Sequence, residues 1–530
     1  MRGTAAGGLA DRRAGRRRRT GPMVALLYAL GAGVPGLGAQ TSPFLPLDDP
    51  RVPLLEYLFL RGDVRDPSPM VRPVRTGDLV AALSESRPGW SAASTALVER
   101  LRGSLGQPTP EAWWRITPRL GSDATTHGGR DPLHPEGKGG GYPYADARFE
   151  ARFGPALLVA RPAFEPRLGE DPAYLVKKTG FPNRPRWRFV EGYGSVQTRW
   201  LQVVYGQQPR NWGPPGLPGL GLSDWSYPRT ELLVVVGNER LRGTAFSTQL
   251  VDDSTAAGEP INRYWVGHRL DFGLTRSFQA GLWETAIVAG RSHVLEPGYR
   301  NPLLLLVFPQ YFGRPDRQNV LVGADLNWRP MPHLLLEAQV ALDDWTTHPD
   351  VVVFPNRWGV TLGAGGALGG RGTWRLRYST VTVTAYRTSD STQNFTDQGV
   401  GLARGWPDNE LVSLESGWLI HPGWLVTPQV AYQRQGAARL TDSYPSAAEA
   451  ALLPTRLSGV VENTLRFGVA LAGQTGGLGV VGDAGVQHSE NDGQVAGRSA
   501  TRFVARLSVR IGVTVWGRLE PVAPAVTDPP

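Results

Sequence analysis

The stretch R-F-V-A-R-L-S-V-R-I-G-V-T-V-W occupies residues 502–516 and alternates in chemical character with a period of two. Its odd positions are apolar: Phe503, Ala505, Leu507, Val509, Ile511, Val513 and Val515. Because successive side chains of a strand point to opposite faces, one face is hydrocarbon while the other carries Arg502, Arg506 and Arg510. A soluble sandwich would also tolerate this pattern. The length of the stretch favours a membrane-spanning strand, which needs about 9–11 residues, over a typical soluble strand of about 5–6.

The same alternation recurs upstream, and this repetition favours a membrane barrel over a soluble sandwich. Segments 266–274, 320–329 and 334–343 each place apolar residues on one face and polar residues on the other. Two further segments, 196–206 and 373–387, lose the alternation part-way, which predicts a β-bulge in each.

The connections between these segments alternate between short and long. Tight turns are predicted near 154–155, Gly194, 238–239, Arg276, 330–332, 369–370, 421–423 and 473–477. Long polar or Gly/Pro-rich connections are predicted at 122–141, 165–185, 207–228, 252–261, 291–316, 346–355, 388–408, 436–455 and 489–498. Outer-membrane barrels combine short periplasmic turns with long external loops and an even strand number. The pattern therefore predicts an all-β, transmembrane, antiparallel up-and-down β-barrel of about 18 strands.

Composition agrees with this fold class and excludes several others. The chain has 530 residues, too many for one ordinary soluble core, and it contains no cysteine that could form a disulfide or a thiolate metal site. Beyond the N-terminus no run of about 20 apolar residues indicates a transmembrane helix. The net charge of +9 comes almost entirely from arginine, without a basic run or a module typical of nucleic-acid binding.

The ends of the chain differ from the strand-rich middle. Residues 1–39 are predicted to be a signal peptide, with arginines at 16–19, an apolar core at 24–34 and small residues before the cleavage site. Residues 40–110 are predicted to be a periplasmic helical segment. Its short helices are expected at 53–60, 76–83 and 94–101, with Thr76 and Ser94 as N-caps. The barrel is assigned to 111–517 and a proline-rich tail to 518–530.

Tryptophans near predicted strand ends suit the aromatic girdles that flank a membrane. These residues are Trp114, Trp200, Trp328, Trp345 and Trp516. An exported barrel also has expected partners: outer-membrane lipid, and periplasmic chaperones with the barrel-assembly machinery during insertion. No nucleic-acid partner is expected.

One loop carries a resemblance to a known family. Residues 210–224 read R-N-W-G-P-P-G-L-P-G-L-G-L-S-D, which resembles the Trp-Gly-Pro-Gly loop of the Wzi-type capsule assembly family. Further stretches resemble that family in the same order: 44–49 (F-L-P-L-D-D), 54–58 (L-L-E-Y-L), 268–272 (H-R-L-D-F), 283–285 (W-E-T), 299–302 (Y-R-N-P) and 342–344 (L-D-D). The resemblance implies an 18-stranded barrel in a Gram-negative-type outer membrane. It also implies a role in binding surface polysaccharide, capsule or exopolysaccharide, and in attaching or organising it at the cell surface.

Four residues are candidates for ligand binding: Arg210, Trp212, Asp224 and Arg269. An aromatic face suits a sugar ring, and arginine suits uronate or phosphate groups. The same Trp-Gly-Pro-Pro-Gly stretch would also let a loop fold tightly into a lumen. Arginines of the lumen could equally well pair with acidic neighbours, for which the sequence offers Asp325, Glu337 and Asp343.

Two other classes of function remain open at the level of sequence. A diffusion porin or solute-specific channel would share the barrel, and arginine-rich linings are typical of anion-preferring pores. An outer-membrane enzyme would need a cluster assembled from distant residues. No catalytic or metal site is predicted, because His268, His293, His333 and His348 lack metal-ligand spacing. Adjacent carboxylates such as 252–253 and 343–344 would point to opposite faces of a strand. No cofactor is expected.

Overall fold

The computed structural model describes residues 41–85, 91–106, 108, 110–174, 186–255, 257–291, 294–301, 304–307, 318–344 and 356–519. The predicted signal peptide, nearly all of the predicted tail and Trp345 lie outside these residues. Eighteen long strands in the described part of the chain form one antiparallel barrel, which confirms the predicted fold class. The strands are β1 (Ala112–Thr125), β2 (Gly140–Phe153), β3 (Ala156–Phe164), β4 (Trp187–Gln197), β5 (Leu201–Gln207), β6 (Thr230–Gly237), β7 (Leu241–Gln249), β8 (Pro260–Gly273), β9 (Phe278–Arg291), β10 (Gln318–Met331), β11 (Leu334–Asp344), β12 (Arg357–Leu368), β13 (Gly372–Val381), β14 (Asn409–Glu415 continued by Trp418–His421), β15 (Trp424–Gln435), β16 (Glu462–Thr475), β17 (Leu478–Glu490) and β18 (Ser499–Gly512 continued by Val515–Arg518).

The first and last strands close the sheet. β1 pairs with β2 on one side and with β18 on the other, where Ser122 lies opposite Val509 and Ile116 opposite Val515. In a bilayer, backbone amides and carbonyls have no water to bond with. A closed sheet gives each of them a partner and leaves no free edge, so this architecture is that of an outer-membrane protein.

The two faces of β18 meet different surroundings, as its alternation predicts. Phe503 on the outer face is 62% exposed, whereas its neighbour Val504 on the inner face is 2% exposed. Arg510, also on the inner face, donates from Nη2 to Asp123 Oδ1 at 2.7 Å. The outer face is therefore the lipid-contacting face, and the arginines line the lumen.

A charge on the outer face is expected to destabilise the barrel. Phe467 lies near the middle of β16, opposite Val430 and Val486, and all three side chains are on the outer face. We expect Phe467→Arg to lower the free energy of unfolding by about 2–4 kcal/mol, the cost of arginine at the bilayer midplane. Urea titration of protein folded into lipid vesicles measures this change. The control Leu452→Arg adds the same charge at a loop residue that is 87% exposed, and should leave the midpoint unchanged. Equal destabilisation by both variants would contradict the assigned outer face.

Most predicted turns coincide with short connections, but the one at Gly194 is wrong. Gly194 lies inside β4, where it pairs with both Leu158 and Tyr205. The turn falls at 198–200, closed by the Thr198 amide donating to the carbonyl of Leu201 at 2.7 Å. This turn, rather than a β-bulge, explains the loss of alternation in 196–206.

The bulge predicted in 373–387 is also wrong. β13 ends at Val381, and residues 382–387 turn away from the wall and are buried inside the barrel. The alternation stops there because the chain has left the sheet, so both sides of the segment contact protein.

Three helices precede the barrel in the described residues: α1 (Val52–Arg61), α2 (Thr76–Ser84) and α3 (Ala92–Leu105). The predicted N-caps are wrong by one and three residues. α2 is preceded by Arg75, and α3 is capped by Ser91, whose side chain accepts a hydrogen bond from the amide of Ser94 at 3.1 Å. A residue inside the first turn of a helix cannot also cap it, because the cap requires extended backbone.

The helical segment packs across the short-turn end of the barrel. Tyr57 Oη and Arg61 Nη1 each donate at 2.8 Å to carbonyls of the β12–β13 turn. Arg100 Nη2 donates to the carbonyl of Gln474, beside the β16–β17 turn, at 2.7 Å. Apolar residues of all three helices form one buried cluster with Leu419 and Leu425 of the wall. The end with short turns is the periplasmic end in barrels of this kind, so the helices lie on that side.

Smaller elements complete the described structure. The remaining strands have two residues each: Val71–Arg72, Asn211–Trp212, Asp253–Ser254, Thr396–Asp397 and Val400–Gly401. The remaining helical turns are Pro166–Gly169, Pro297–Arg300, Ser391–Gln393, Ala447–Ala450 and Asp492–Gln494. No helix among the described residues is long and apolar enough to cross a membrane.

Candidate functional site

The loop between β5 and β6, residues 208–229, folds into the lumen and is called the inner loop below. Its strand Asn211–Trp212 pairs antiparallel with Val71–Arg72 from the helical segment. The Gly213 amide donates to the carbonyl of Met70 at 2.9 Å, which extends this contact. A loop from the external end and a segment from the periplasmic end therefore meet inside the barrel.

Trp212 is the centre of the packing that holds the inner loop. It is fully buried, in one cluster with Phe246, Trp265 and Trp283 from the barrel wall. Gln339 of β11 donates from Nε2 to the Trp212 carbonyl at 2.8 Å. At Gly219 an added Cβ would lie 1.9 Å from that same carbonyl oxygen, so the loop needs glycine there to turn back on itself. Gly219 therefore serves the tight fold of this loop.

Three of the four predicted ligand-binding residues lie in this packed interior. Arg269 donates from Nη1 and Nη2 to the carboxylate of Asp325 at 2.7 and 2.9 Å, and its guanidinium lies 5.8 Å from the centre of the Trp212 ring. Arg210 pairs with Glu231 and lies over the ring of Phe246. Both guanidinium groups are therefore paired with carboxylates inside the protein, and all three side chains are buried away from the solvent.

The fourth predicted residue, Asp224, lies in a different place. It lines a cavity of about 680 Å³ between the inner loop and the wall formed by β13 to β16. External loops contribute Arg130, Trp225 and Trp406 to this cavity, and α1 contributes residues at the other end. Six arginines and four acidic residues are among those that line it, so its walls carry an excess of positive charge.

Two tryptophans of this cavity are held by close contacts. Trp225 packs on the backbone of Gly405, where an added Cβ would lie 1.9 Å from Trp225 Cε2. Arg130 Nη1 donates to the carbonyl of Trp225 at 3.1 Å. Trp406 contacts the ring of His134, with centroids 4.9 Å apart, and the guanidinium of Arg439 at 5.0 Å. Both indoles are only partly buried, so each keeps some surface for a ligand.

Arg404 brings an uncompensated charge to the same cavity. Its Nη2 donates to Thr361 Oγ1 at 2.7 Å and to Ser379 Oγ at 2.8 Å. No carboxylate of the described residues lies within 4.0 Å of it. Burial lowers the pKa of Arg404 to about 10, and the neighbouring Arg377 acts in the same direction. Sequence reasoning missed Arg404, Trp225 and Trp406. The available signal was the position of aromatic and basic residues together inside two predicted long loops.

The alternative prediction, that arginines of the lumen pair with acidic neighbours, is confirmed in part. Asp325 binds Arg269, and Asp343 lies 3.8 Å from Arg357 Nη1. Glu337 accepts a hydrogen bond from Asn327 Nδ2 at 3.4 Å. Within the described ranges, no group of three or more histidine or acidic residues could hold a metal ion.

No protein-family model matches this chain, and no curated protein matches it. Among solved structures, it is similar to Wzi of Escherichia coli, described as an outer-membrane protein involved in group 1 capsule assembly and a carbohydrate-binding β-barrel. The two share 16% sequence identity over 88% of this chain and 98% of that chain, with a TM-score of 0.57.

This chain has the Wzi fold. The resemblance seen in its loop and barrel motifs is thereby confirmed at the level of fold. Two Pseudomonas aeruginosa outer-membrane proteins are more distantly similar. OprD matches at 11% identity over 77% of this chain and 96% of its own, with a TM-score of 0.44. OpdK matches at 12% identity over 76% and 99%, with a TM-score of 0.43.

Proposed function

We propose that the barrel binds a surface polysaccharide through its external loops and helps to attach or organise that polymer at the cell surface. The observation that carries this proposal is the cavity in which Trp225 and Trp406 accompany arginines of the external loops and wall. Sugar rings present an apolar face to an indole and hydroxyl or acidic groups to guanidinium, so the two residue types together suit a glycan. The Wzi fold supports the same conclusion.

The packed lumen also supports a binding role over free diffusion. A barrel of 16–18 strands leaves an aqueous channel when its lumen is open. Here Trp212 and its cluster occupy part of the lumen, and the inner loop bonds to the helical segment. A channel function remains the second candidate, because the cavity is lined both by external loops and by Glu56 and Tyr57 of α1.

Glycan binding by detergent-solubilised protein tests the proposal. We expect the double variant Trp225→Ala/Trp406→Ala to lose about tenfold or more in affinity for whichever surface polysaccharide binds, as is typical when aromatic anchors are removed. Trp200→Ala is the matched control, because Trp200 is exposed at the periplasmic turn between β4 and β5. Deleting the gene should reduce the polysaccharide retained on cells. A protein that binds no glycan and conducts ions steadily in planar bilayers would instead favour the channel.

A further inference from the structure

Arg404 has no carboxylate within ion-pair distance among the described residues, unlike its arginine neighbours on β13. Arg375 and Arg377 are successive inward residues of β13, and both lie near Glu415 of β14: Arg377 forms an ion pair with it, and Arg375 Nη1 lies 3.8 Å from it. Glu337 faces Arg375 from β11. Glu56 of α1 also acts on Arg375 and forms an ion pair with Arg72. The acidic groups of this cluster therefore lie beside the other arginines, and none within the described residues lies beside Arg404.

Arg404 is also positioned by neighbours that fix its direction. Thr361 and Ser379 are a cross-strand pair of β12 and β13, and their hydroxyls bond to one another at 3.0 Å. Both accept from the same nitrogen of Arg404, Nη2, while Nε has no hydrogen-bond partner in the described structure. Most of the donor capacity of this guanidinium is therefore unused, although the side chain is more than nine-tenths buried.

We propose that Arg404 and Arg377 form an oxyanion seat in this cavity, and that its occupant is an acidic substituent, carboxylate or phosphate, of the glycan named under the proposed function. Arg377 lies two residues before Ser379 on β13, so the two side chains point inward at neighbouring positions, about 7 Å apart along the strand. That spacing lets two guanidinium groups approach one acidic group from different sides. The inference rests on the proposed function for the identity of the ligand, and on the cavity alone for its charge.

The physical reason is the cost of an isolated buried charge. A cation taken out of water without a counter-charge is strongly unfavourable, and such groups in proteins are paired or hydrogen-bonded. An acidic sugar would supply the missing counter-charge in a bidentate contact, the geometry for which arginine is better suited than lysine. Trp406 lies two residues along the same loop and lines the same cavity, so an indole is available there to a bound sugar ring. The seat therefore selects for acidic over neutral polysaccharide.

Calorimetric titration of the full-length protein in detergent tests this inference. The probes are a glucuronate-containing oligosaccharide, a neutral oligosaccharide of the same length, and inorganic phosphate. Wild type should bind the acidic oligosaccharide about tenfold or more tightly than the neutral one. Arg404→Gln should remove most of this preference, because it should lower the affinity for the acidic oligosaccharide far more than the affinity for the neutral one. Arg404→Lys keeps the positive charge but loses the bidentate donor geometry of the guanidinium. Its preference for the acidic oligosaccharide should therefore lie between those of wild type and Arg404→Gln. Arg434→Gln is the matched control, because Arg434 of β15 pairs with Glu410 of β14 and is not among the residues that line the cavity.

The outcomes separate the two proposals. Equal affinity of wild type for acidic and neutral oligosaccharides would overturn the oxyanion seat and leave the proposed function standing. If no oligosaccharide binds, but phosphate binds and is lost in Arg404→Gln, the seat stands and the proposed function fails. If neither oligosaccharide nor phosphate binds to wild type, both proposals fall. Gel electrophoresis confirms that each variant is folded: the unboiled protein should run as the faster, compact band, and the slower, unfolded band should appear only after boiling.

Discussion

Replacing residues 211–222 of the inner loop with a short Gly-Ser linker should turn a nearly silent barrel into a conducting pore. In the intact protein this stretch carries Trp212 and the backbone pairing with Val71–Arg72, which together fill the lumen beside β8 to β11. Without it, the eighteen-stranded wall would enclose water, as the walls of porins of similar size do. Single-channel recording in planar bilayers measures the change. We expect a rise in conductance of at least about tenfold, since conductance follows the open cross-section of the lumen.

A loop that stays outside the lumen provides the control for this experiment. Residues 252–255 between β7 and β8 are largely exposed, and removing them should leave the conductance at the level of the intact protein. If the intact protein already conducts as well as the inner-loop variant, the lumen is open, and the channel alternative becomes the better account of this barrel.

The second large effect is expected from Arg269→Gln. This guanidinium is 1% exposed and holds the carboxylate of Asp325 with two hydrogen bonds, while Nε donates to Asp271 Oδ1 at 2.8 Å. Removing it leaves Asp325 buried without its counter-charge. The loss of one partner of a buried pair typically costs about 3–5 kcal/mol. Urea unfolding followed by loss of the compact band in gel electrophoresis should therefore show a large fall in the free energy of unfolding.

A second substitution distinguishes the charge effect from a packing effect. Arg269→Gln combined with Asp325→Asn removes both charges and should recover a substantial part of the loss, because no isolated carboxylate then remains. The partly exposed pair of Arg434 with Glu410 gives the scale for a contact near the surface, for which Arg434→Gln should cost less than about 1 kcal/mol. A double variant as unstable as Arg269→Gln would show that packing against Trp212 dominates.

The wall of the barrel could be predicted from sequence because its two faces obey a local rule. Alternation along residues 502–516 and the spacing of turns depend on neighbours one or two residues away, so strand number and orientation follow from the pattern. The prediction failed where a different contact decides the backbone. Gly194 lies within a sheet ladder, and residues 382–387 leave the wall for the interior, where the period of two has no meaning.

The cavity could not be predicted in the same way. Arg404 meets Thr361 and Ser379, which lie 43 and 25 residues away, and no local pattern links these positions. Likewise Arg269 and Asp325 are 56 residues apart, so the sequence offered their pairing as one alternative among several. Glycine-rich loops folded into a lumen bring together residues by tertiary contact alone. Their chemistry becomes visible only when the fold is known.

The pairing of Val71–Arg72 with Asn211–Trp212 ties two compartments together mechanically. One strand of this small ladder is continuous with helices at the periplasmic end, and the other with a loop anchored at the opposite end of the wall. A force from the periplasmic side that displaces the helices must either break these backbone hydrogen bonds or displace the loop as well. Because the barrel wall is rigid, a force on the helices at the periplasmic end would be transmitted through this ladder to the loop at the external end.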